Sequence, residues 1–206
     1  MVTSNHVHLL AFDNGRRNVI PDSIKLVAGR TGQEYNVRKN RRGAFWEDRY
    51  HATAVESNRY LRQCITYIDM NMVRAGVVTH PQQWEFCGYN EIQMPRKRKG
   101  IIDFDRLIDL LGFENYDDLK DAHYKWVDSA VQANSGGKES KWTQSVAVGS
   151  KAFIEKVKEA LGFRVKGRKI IYADGTFELR EALTPYGKAN YLDSGNTYLW
   201  DQQPSS

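Results

Sequence analysis

Asn5-His6-Val7-His8-Leu9-Leu10 joins two histidines to an apolar run near the start of the printed sequence. Because side chains alternate across a β-strand, His6 and His8 are expected to project from one face. The apolar neighbours predict a short buried strand over residues 5–12. Two polar rings on a buried face need partners, and a divalent metal ion is one such partner. The segment therefore predicts half of a metal site.

A helix is predicted further along the chain, beginning after Ser57 or Asn58 as its cap and closing at Gly76. Its apolar residues recur at helical spacing: Tyr60, Leu61, Cys64, Ile65 and Ile68. Tyr67 and Asn71 stand four positions apart, so one face of this helix offers a phenol and an amide oxygen together.

These side chains suit metal-assisted chemistry on phosphate. Two imidazoles and one amide oxygen leave coordination positions for water and phosphate oxygens, which fits Mg²⁺ or Mn²⁺ as a Lewis acid, and imidazole favours Mn²⁺. The set predicts attack by Tyr67 on a phosphodiester. Each part also has a plainer interpretation, because a lone His-x-His pair is more often structural and a helix tyrosine is more often packed.

Other local signals complete a mixed α and β pattern. A turn at residues 13–15 precedes a helix from Pro21 to about residue 38, and residues 45–55 predict a second strand or hairpin arm. Two amphipathic helices are expected within residues 103–133. A further helix is expected from Ser150 to near Gly162, followed by a β-hairpin whose turn is Asp174-Gly175.

The basic character of the 206-residue chain belongs to its first half. The net charge is +5, yet residues 1–100 hold 16 basic and 9 acidic side chains, whereas the remainder holds 14 and 16. This favours a polyanionic partner. Cys64 and Cys87 are expected to be small buried thiols in a reducing cytoplasm. No apolar run reaches the roughly 18 residues of a membrane span, so no membrane partner is expected.

A change of charge and composition predicts the domain organisation. The run Pro95-Arg96-Lys97-Arg98-Lys99-Gly100 combines a helix breaker, four cations and a glycine. We therefore expect a domain over residues 1–94, a basic linker and helical segment over 95–141, and an accessory region with a helix and a hairpin over 142–206. Residues 134–138 are expected to form a flexible connector.

The histidine segment, together with Tyr67-Ile68-Asp69-Met70-Asn71-Met72-Val73-Arg74-Ala75-Gly76-Val77-Val78, resembles the IS200-like single-tyrosine HUH transposases, most nearly their REP-associated tyrosine transposase branch. The resemblance implies an α+β fold with a ferredoxin-like transposase domain and a smaller C-terminal extension. It implies His6, His8 and Asn71 as ligands of Mg²⁺ or Mn²⁺, and Tyr67 as the catalytic nucleophile. The implied substrate is single-stranded or hairpin DNA, cut through a 5′-phosphotyrosine intermediate.

Residues 45–50 also resemble the aromatic and basic strand that precedes the catalytic helix in that family. With the cations before them they predict a DNA-binding surface, since aromatic rings stack on unpaired bases and cations meet phosphates. The predicted DNA-binding residues are Arg38, Lys39, Arg41, Arg42, Trp46, Arg49 and Arg74. The plainer interpretation is a solvated basic loop beside buried aromatics; Arg74 is equally suited to cap its own helix.

Three departures from the family pattern leave alternatives open. The C-terminal half has no recognised DNA-reading signature, so its segment Trp142 to Leu161 is either part of a helical DNA-binding module or an accessory packing unit. Family members usually have a strand-helix-strand before the histidine pair, so the domain is expected to lack that part. Met72 stands where many relatives have proline. One alternative is a DNA-binding remnant or repressor without catalysis; another is a small-molecule hydrolase that uses a metal-bound water. A homodimer and catalysis across it also stay open.

Overall fold

The fold is taken from a computed structural model that describes residues 1–16, 18–47, 49–96, 100–133, 137 and 139–181. The helices are α1 (Val19–Arg38), α2 (Arg59–Asp69), α3 (Asn71–Arg74), α4 (Gly88–Gln93), α5 (Phe104–Leu111), α6 (Tyr116–Gln132), α7 (Lys141–Gln144) and α8 (Lys151–Leu161). The strands are β1 (Ala54–Val55), β2 (Ser145–Gly149), β3 (Arg168–Ala173) and β4 (Thr176–Glu181). The predicted α+β class is confirmed. Within these ranges no helix has the length and apolar character to cross a membrane.

Among the described residues, four strands form one mixed sheet in the order β1-β2-β4-β3. β1 runs parallel to β2 with Ala54 opposite Ala147, while β4 is antiparallel to both β2 and β3. The central strands carry the core, where Ala147, Val148 and Leu179 are fully buried. Ile154 of α8 packs with Ala147 and Leu179 on one face of the sheet, whereas Val148 packs with the cluster that contains Tyr67. Strands from residues 54–55 and 145–181 therefore share one sheet, and the predicted domain boundaries stay predictions.

A half-buried carboxylate contact reinforces the link between the distant strands. Glu56 follows β1 and accepts hydrogen bonds from the Ser150 backbone N–H at 2.5 Å and from its hydroxyl at 2.9 Å. Ser150 also caps α8, since its hydroxyl accepts from the Phe153 N–H. The predicted helix start at Ser150 is confirmed.

The hairpin prediction is also confirmed. β3 and β4 pair in register from Arg168 opposite Glu181 to Ala173 opposite Thr176. The two turn residues have positive φ, 49° at Asp174 and 71° at Gly175. This is the backbone of a type I′ turn, which matches the twist of the flanking strands and favours an Asp-Gly pair.

The helix that carries Tyr67 has nearly the predicted bounds. α2 buries its apolar face and ends at Asp69, and α3 follows after the single residue Met70. The i to i−4 backbone bonds continue across this residue, from Met70 to Thr66 and from Arg74 to Met70. The relative placement of Tyr67 and Asn71 thus stays close to that of one helix. Asn58 lies at the N-cap, but its side chain makes no capping bond.

The helices predicted in the linker and first domain are found. α1 covers the predicted Pro21–38 range, yet none of its residues is buried. α5 and α6 are the two amphipathic helices, and both begin at side-chain caps, Asp103 and Asn115. Cys64 and Cys87 are buried free thiols, as expected. The predicted connector 134–138, apart from Gly137, and the cations at 97–99 lie outside the described residues.

Two strand predictions are wrong. Residues 5–12 form no named strand, with one isolated bridge between Val2 and Val7, and Leu9 is 65% exposed. Within 45–55, the described residues contribute only the two residues of β1. A buried strand needs a hydrogen-bonding neighbour on at least one side, and an apolar run does not reveal whether the fold supplies one.

Candidate active site

The histidine segment forms a compact loop that packs against the later part of the chain. The His8 N–H donates to the Met1 carbonyl at 3.0 Å, and the Thr3 N–H donates to the His6 carbonyl at 3.0 Å. The Trp84 indole N–H donates to the Val2 carbonyl at 2.8 Å and docks this loop. The two imidazoles still lie side by side, with ring centroids 5.0 Å apart, although the strand predicted to position them is not formed.

His8 and Asn71 meet directly. The Asn71 amide Nδ2 donates to His8 Nε2 at 3.0 Å. Rotation of the Asn71 amide group by a half-turn would direct its Oδ1 towards His8 Nε2. A cation between them would then have one imidazole nitrogen and one amide oxygen as ligands. The contact joins the first loop of the chain to α3 across 63 positions.

His6 has the hydrogen bonds that orient a metal-binding imidazole. Its Nδ1 lies 2.7 Å from the Asn5 side-chain oxygen and 3.1 Å from the Thr3 hydroxyl. A partner on Nδ1 fixes the ring and leaves Nε2 as the nitrogen for a ligand. His6, His8 and Asn71 are therefore the side chains of this cluster that could hold a divalent cation and leave coordination positions open. No group of three or more His, Cys, Asp or Glu side chains suited to a metal occurs in the described part of the chain.

Burial and nearby positive charge keep the His8 imidazole neutral. Burial is the largest cause, followed by His6, the chain amino group and Arg74, and together they lower the pKa of His8 from 6.5 to about 4. A metal binds the unprotonated nitrogen, so at neutral pH His8 is already in the form that a cation requires.

Tyr67 lies beside this pair and is almost enclosed. Its ring centroid is 6.1 Å from that of His8 and 6.1 Å from that of Trp142, which belongs to α7. The Arg74 guanidinium lies 3.9 Å from the centroid of the Tyr67 ring. Only 5% of Tyr67 is exposed. Access of a DNA strand to its hydroxyl therefore depends on the side chains that surround it.

Arg74 brings positive charge to the phenol. Its guanidinium is partly buried, and its Nη2 is buried without a hydrogen-bond partner. Burial lowers the pKa of Arg74, while its interactions with Tyr67 and Glu139 favour the charged form. Guanidinium stays protonated at physiological pH. The site thus holds a cation with an unused donor directly against the predicted nucleophile.

The other predicted DNA-binding residues gather elsewhere, around α1. Arg38, Lys39, Arg41 and Arg42 are exposed at its end, and they form no ion pair with a described carboxylate. Trp46 is 38% exposed, and its indole N–H donates to the Ala28 carbonyl at 2.9 Å. Arg49 is exposed on the following segment. Arg38 stacks on Tyr35 of α1, and the Arg41 guanidinium donates to the Ala44 carbonyl of its own loop at 2.8 Å.

Two features of the site were missed by the sequence reasoning. Trp142 packs on Tyr67 from the predicted accessory region, and nothing in its local sequence indicated that contact. The second is a buried pair: Asp69, two residues after Tyr67, contacts His123 of α6. A signal existed for His123, which lies midway between the apolar Leu119 and Val127 at helical spacing and so occupied a core position that required a polar partner.

Comparison with known proteins adds no relative to this picture. Neither family models, nor curated proteins, nor solved structures give a match to the chain. Its functional interpretation therefore depends on the geometry above and on the motif resemblance.

Proposed function

We propose that the protein is a metal-dependent single-strand DNA endonuclease and strand transferase of the tyrosine transposase type. The observation that carries the proposal is the convergence of His6, His8, Asn71 and Tyr67 in one cluster, although they come from two segments far apart in the chain, with His8 and Asn71 separated by 63 positions. A ferredoxin-like domain of the IS200-like kind, a cytoplasmic location and a homodimer are parts of the same proposal.

The proposed roles divide among the four side chains. His6, His8 and Asn71 would hold Mg²⁺ or Mn²⁺, which supplies Lewis-acid neutralisation of phosphate charge when bound. The hydrogen bonds of His6 to Thr3 and Asn5 orient its ring, and the burial of His8 keeps its nitrogen unprotonated. The protein thereby prepares its ligands before any cation arrives.

Tyr67 is proposed to act as the nucleophile. Its hydroxyl oxygen forms a bond to the scissile phosphorus while the bond from phosphorus to the 3′ oxygen breaks. The phenolic proton is lost and the departing oxygen gains a proton, which leaves a 3′-hydroxyl and a 5′-phosphotyrosine. Attack by the 3′-hydroxyl of another strand reverses the step and joins DNA without ATP, because the covalent bond retains the energy of the phosphodiester.

The cations have separate parts in the proposal. Arg74 lies on the Tyr67 ring and has an unused donor, so it is suited to the phosphate that Tyr67 attacks. A second group of cations and one aromatic ring is suited to bind a part of the DNA strand that lies at a distance from the reacting phosphate. It consists of Arg38, Lys39, Arg41, Arg42, Trp46 and Arg49.

The experiment is a covalent-adduct assay. Purified protein is incubated with Mn²⁺ and labelled single-stranded DNA from both flanks of its gene, then resolved on a denaturing gel. We expect a protein–DNA adduct that Tyr67→Phe abolishes and that a chelator suppresses. Tyr60→Phe is the matched control, since Tyr60 is a buried tyrosine of the same helix and core cluster. Adducts that persist in Tyr67→Phe would refute the assignment.

A second function is favoured by the 5% exposure of Tyr67, which is low for a nucleophile that must reach a polymer. In that case the protein is a non-catalytic DNA-binding remnant or repressor. It would bind DNA with strong salt dependence, fold normally and form no adduct. Cleavage of a small phosphodiester by both wild type and Tyr67→Phe would instead indicate a hydrolase that uses metal-bound water.

A further inference from the structure

The outer edge of the sheet carries an unusual combination of charge and aromatic surface. β3 is the last strand in the order β1-β2-β4-β3, so no described strand pairs with its other side. Residues 163–172, which comprise the turn before β3 and most of that strand, hold four cations and no carboxylate. They are Arg164, Lys166, Arg168 and Lys169. The second half of the chain is acidic overall, so these cations are concentrated in one place.

Charge alone has a simple explanation, because lysines on an edge strand prevent pairing with other sheets. The aromatic residues are not explained in this way. Phe163 is 85% exposed and Tyr172 is 64% exposed. An aromatic ring that stays exposed to water forgoes the favourable free energy of burying its apolar surface. Charged side chains alone would protect the edge of the sheet. The two rings therefore point to a partner that covers them.

Each of the two rings is held by a contact with a neighbouring side chain. Tyr172 packs on Phe177 of the neighbouring strand with centroids 4.7 Å apart, and the Arg164 guanidinium lies 5.9 Å from the Phe163 ring. On β3 itself, Lys169 and Ile171 are exposed whereas Ile170 between them packs on the core. One face of the strand thus presents a cation and an apolar side chain, and aromatic rings lie at each end of the segment.

A further cation connects this edge to the helix of the proposed nucleophile. The Arg59 guanidinium is exposed and donates to the Gly175 carbonyl in the hairpin turn at 2.9 Å, and it also contacts the Tyr60 ring at 4.5 Å. Arg59 is the first residue of α2, which places its Cα about 12 Å along the helix axis from that of Tyr67 at about 1.5 Å per residue.

We propose that this edge, formed by Phe163, Arg164, Lys166, Lys169, Tyr172 and Arg59, binds single-stranded DNA. Along residues 163–172 the cations lie between two exposed rings, a combination that can hold phosphates by charge and unpaired bases by stacking. The site is separate from the predicted cluster around α1. The inference goes beyond the proposed function, since binding at this edge requires neither a metal nor the Tyr67 hydroxyl.

The test is fluorescence anisotropy of a labelled oligo-dT strand with the full-length protein, without divalent metal and in a Tyr67→Phe background. Failure of the cleavage chemistry then leaves the binding measurement intact. One variant is Lys166→Gln with Lys169→Gln, and the other is Phe163→Ala; all three side chains are exposed, so folding is preserved. The matched control is Lys151→Gln with Lys156→Gln, two exposed cations of α8.

The two variants have different expected signatures. Loss of two phosphate contacts weakens binding and reduces the slope of log K against log salt by about 1.4, at about 0.7 per contact for single strands. Phe163→Ala weakens binding about fivefold or more and leaves the slope unchanged, because stacking is not ionic. The control pair keeps wild-type affinity and slope.

Three results would overturn the inference. One is wild-type affinity in both edge variants. Another is an equal loss in the α8 control, which would indicate a general effect of net charge. The third is competition by a glutamate-rich peptide as effective as that by unlabelled oligo-dT, which would identify an acidic protein as the better partner.

Discussion

Asp69 Oδ2 and His123 Nε2 lie 2.8 Å apart in the interior, where Asp69 is 2% exposed and His123 is fully buried. The other Asp69 oxygen accepts from the Tyr89 N–H at 3.1 Å and from the Cys87 thiol. Gln93 Nε2 contacts the second ring nitrogen of His123 at 2.9 Å. One carboxylate thus ties the end of α2, between Tyr67 and Asn71, to α6 and α4.

Asp69→Ala is expected to lower the free energy of unfolding by about 3 kcal/mol, because it leaves the His123 nitrogen and the Tyr89 N–H buried without a partner. Urea unfolding followed by circular dichroism measures the change. Asp121→Ala is the control, since Asp121 is an exposed carboxylate of α6 and should change stability by less than about 0.5 kcal/mol. Equal effects of the two substitutions would show that the buried pair contributes little.

Arg74→Met is expected to slow adduct formation by about 100-fold while DNA affinity falls much less. The substitution removes the cation that faces Tyr67, and one lost donor to a developing phosphate charge typically costs this much. Single-turnover adduct formation at saturating DNA measures the rate. Arg62→Met is a matched control, because Arg62 lies on α2, the helix of Tyr67, and stacks on Trp126 away from the site. A rate unchanged by Arg74→Met would exclude the proposed role.

Acid is expected to destabilise the protein through His8. The folded pKa is about 4, below the ordinary value of 6.5. Between these values His8 is protonated in the unfolded chain but not in the folded protein, so the free energy of unfolding falls as pH decreases from 6.5 towards 4. Above pH 6.5 His8 is neutral in both states and has no such effect on stability. His8→Gln should therefore lose less stability than wild type between pH 7.5 and 4.5. Urea midpoints at both values test this, and parallel losses would contradict it.

Neither cysteine is expected to react with a thiol reagent at pH 8 in the folded protein. Burial raises the pKa of Cys64 to about 12 and also raises the pKa of Cys87, so the reactive thiolate is scarce, at about one molecule in 10⁴ for Cys64. In urea both thiols should react at once. Rapid labelling of the native protein would show that the clusters containing them open readily.

Local signals predicted most of the helices and the hairpin. Ser150, Asp103 and Asn115 are cap residues whose effect depends on the next few positions, and Asp174-Gly175 determines its own turn. The strand predictions for residues 5–12 and 45–55 were wrong because strand formation is not decided by local sequence alone. A strand depends on a distant partner, and β1 finds its partner in β2, far along the chain.

The grouping of the candidate site was predictable only through the motif resemblance. Spacing brought His6 near His8 and Tyr67 near Asn71, but spacing alone does not bring the two pairs together. The structure has them in contact, and their catalytic roles stay predictions. Trp142 was not foreseeable, because its contact with Tyr67 depends on how α7 packs against α2.

The pairing of β1 with β2 has a consequence for synthesis on the ribosome. Glu56 and its partner Ser150 are 94 positions apart, an interval of about 5–20 s at about 5–20 residues per second. Once residue 71 has been made, the nascent chain contains both histidines, Tyr67 and Asn71, but until residues 142–149 are made it lacks the strand beside β1 and the indole that packs on the phenol. The histidine, tyrosine and asparagine side chains are therefore made well before the strand and the indole that pack beside them.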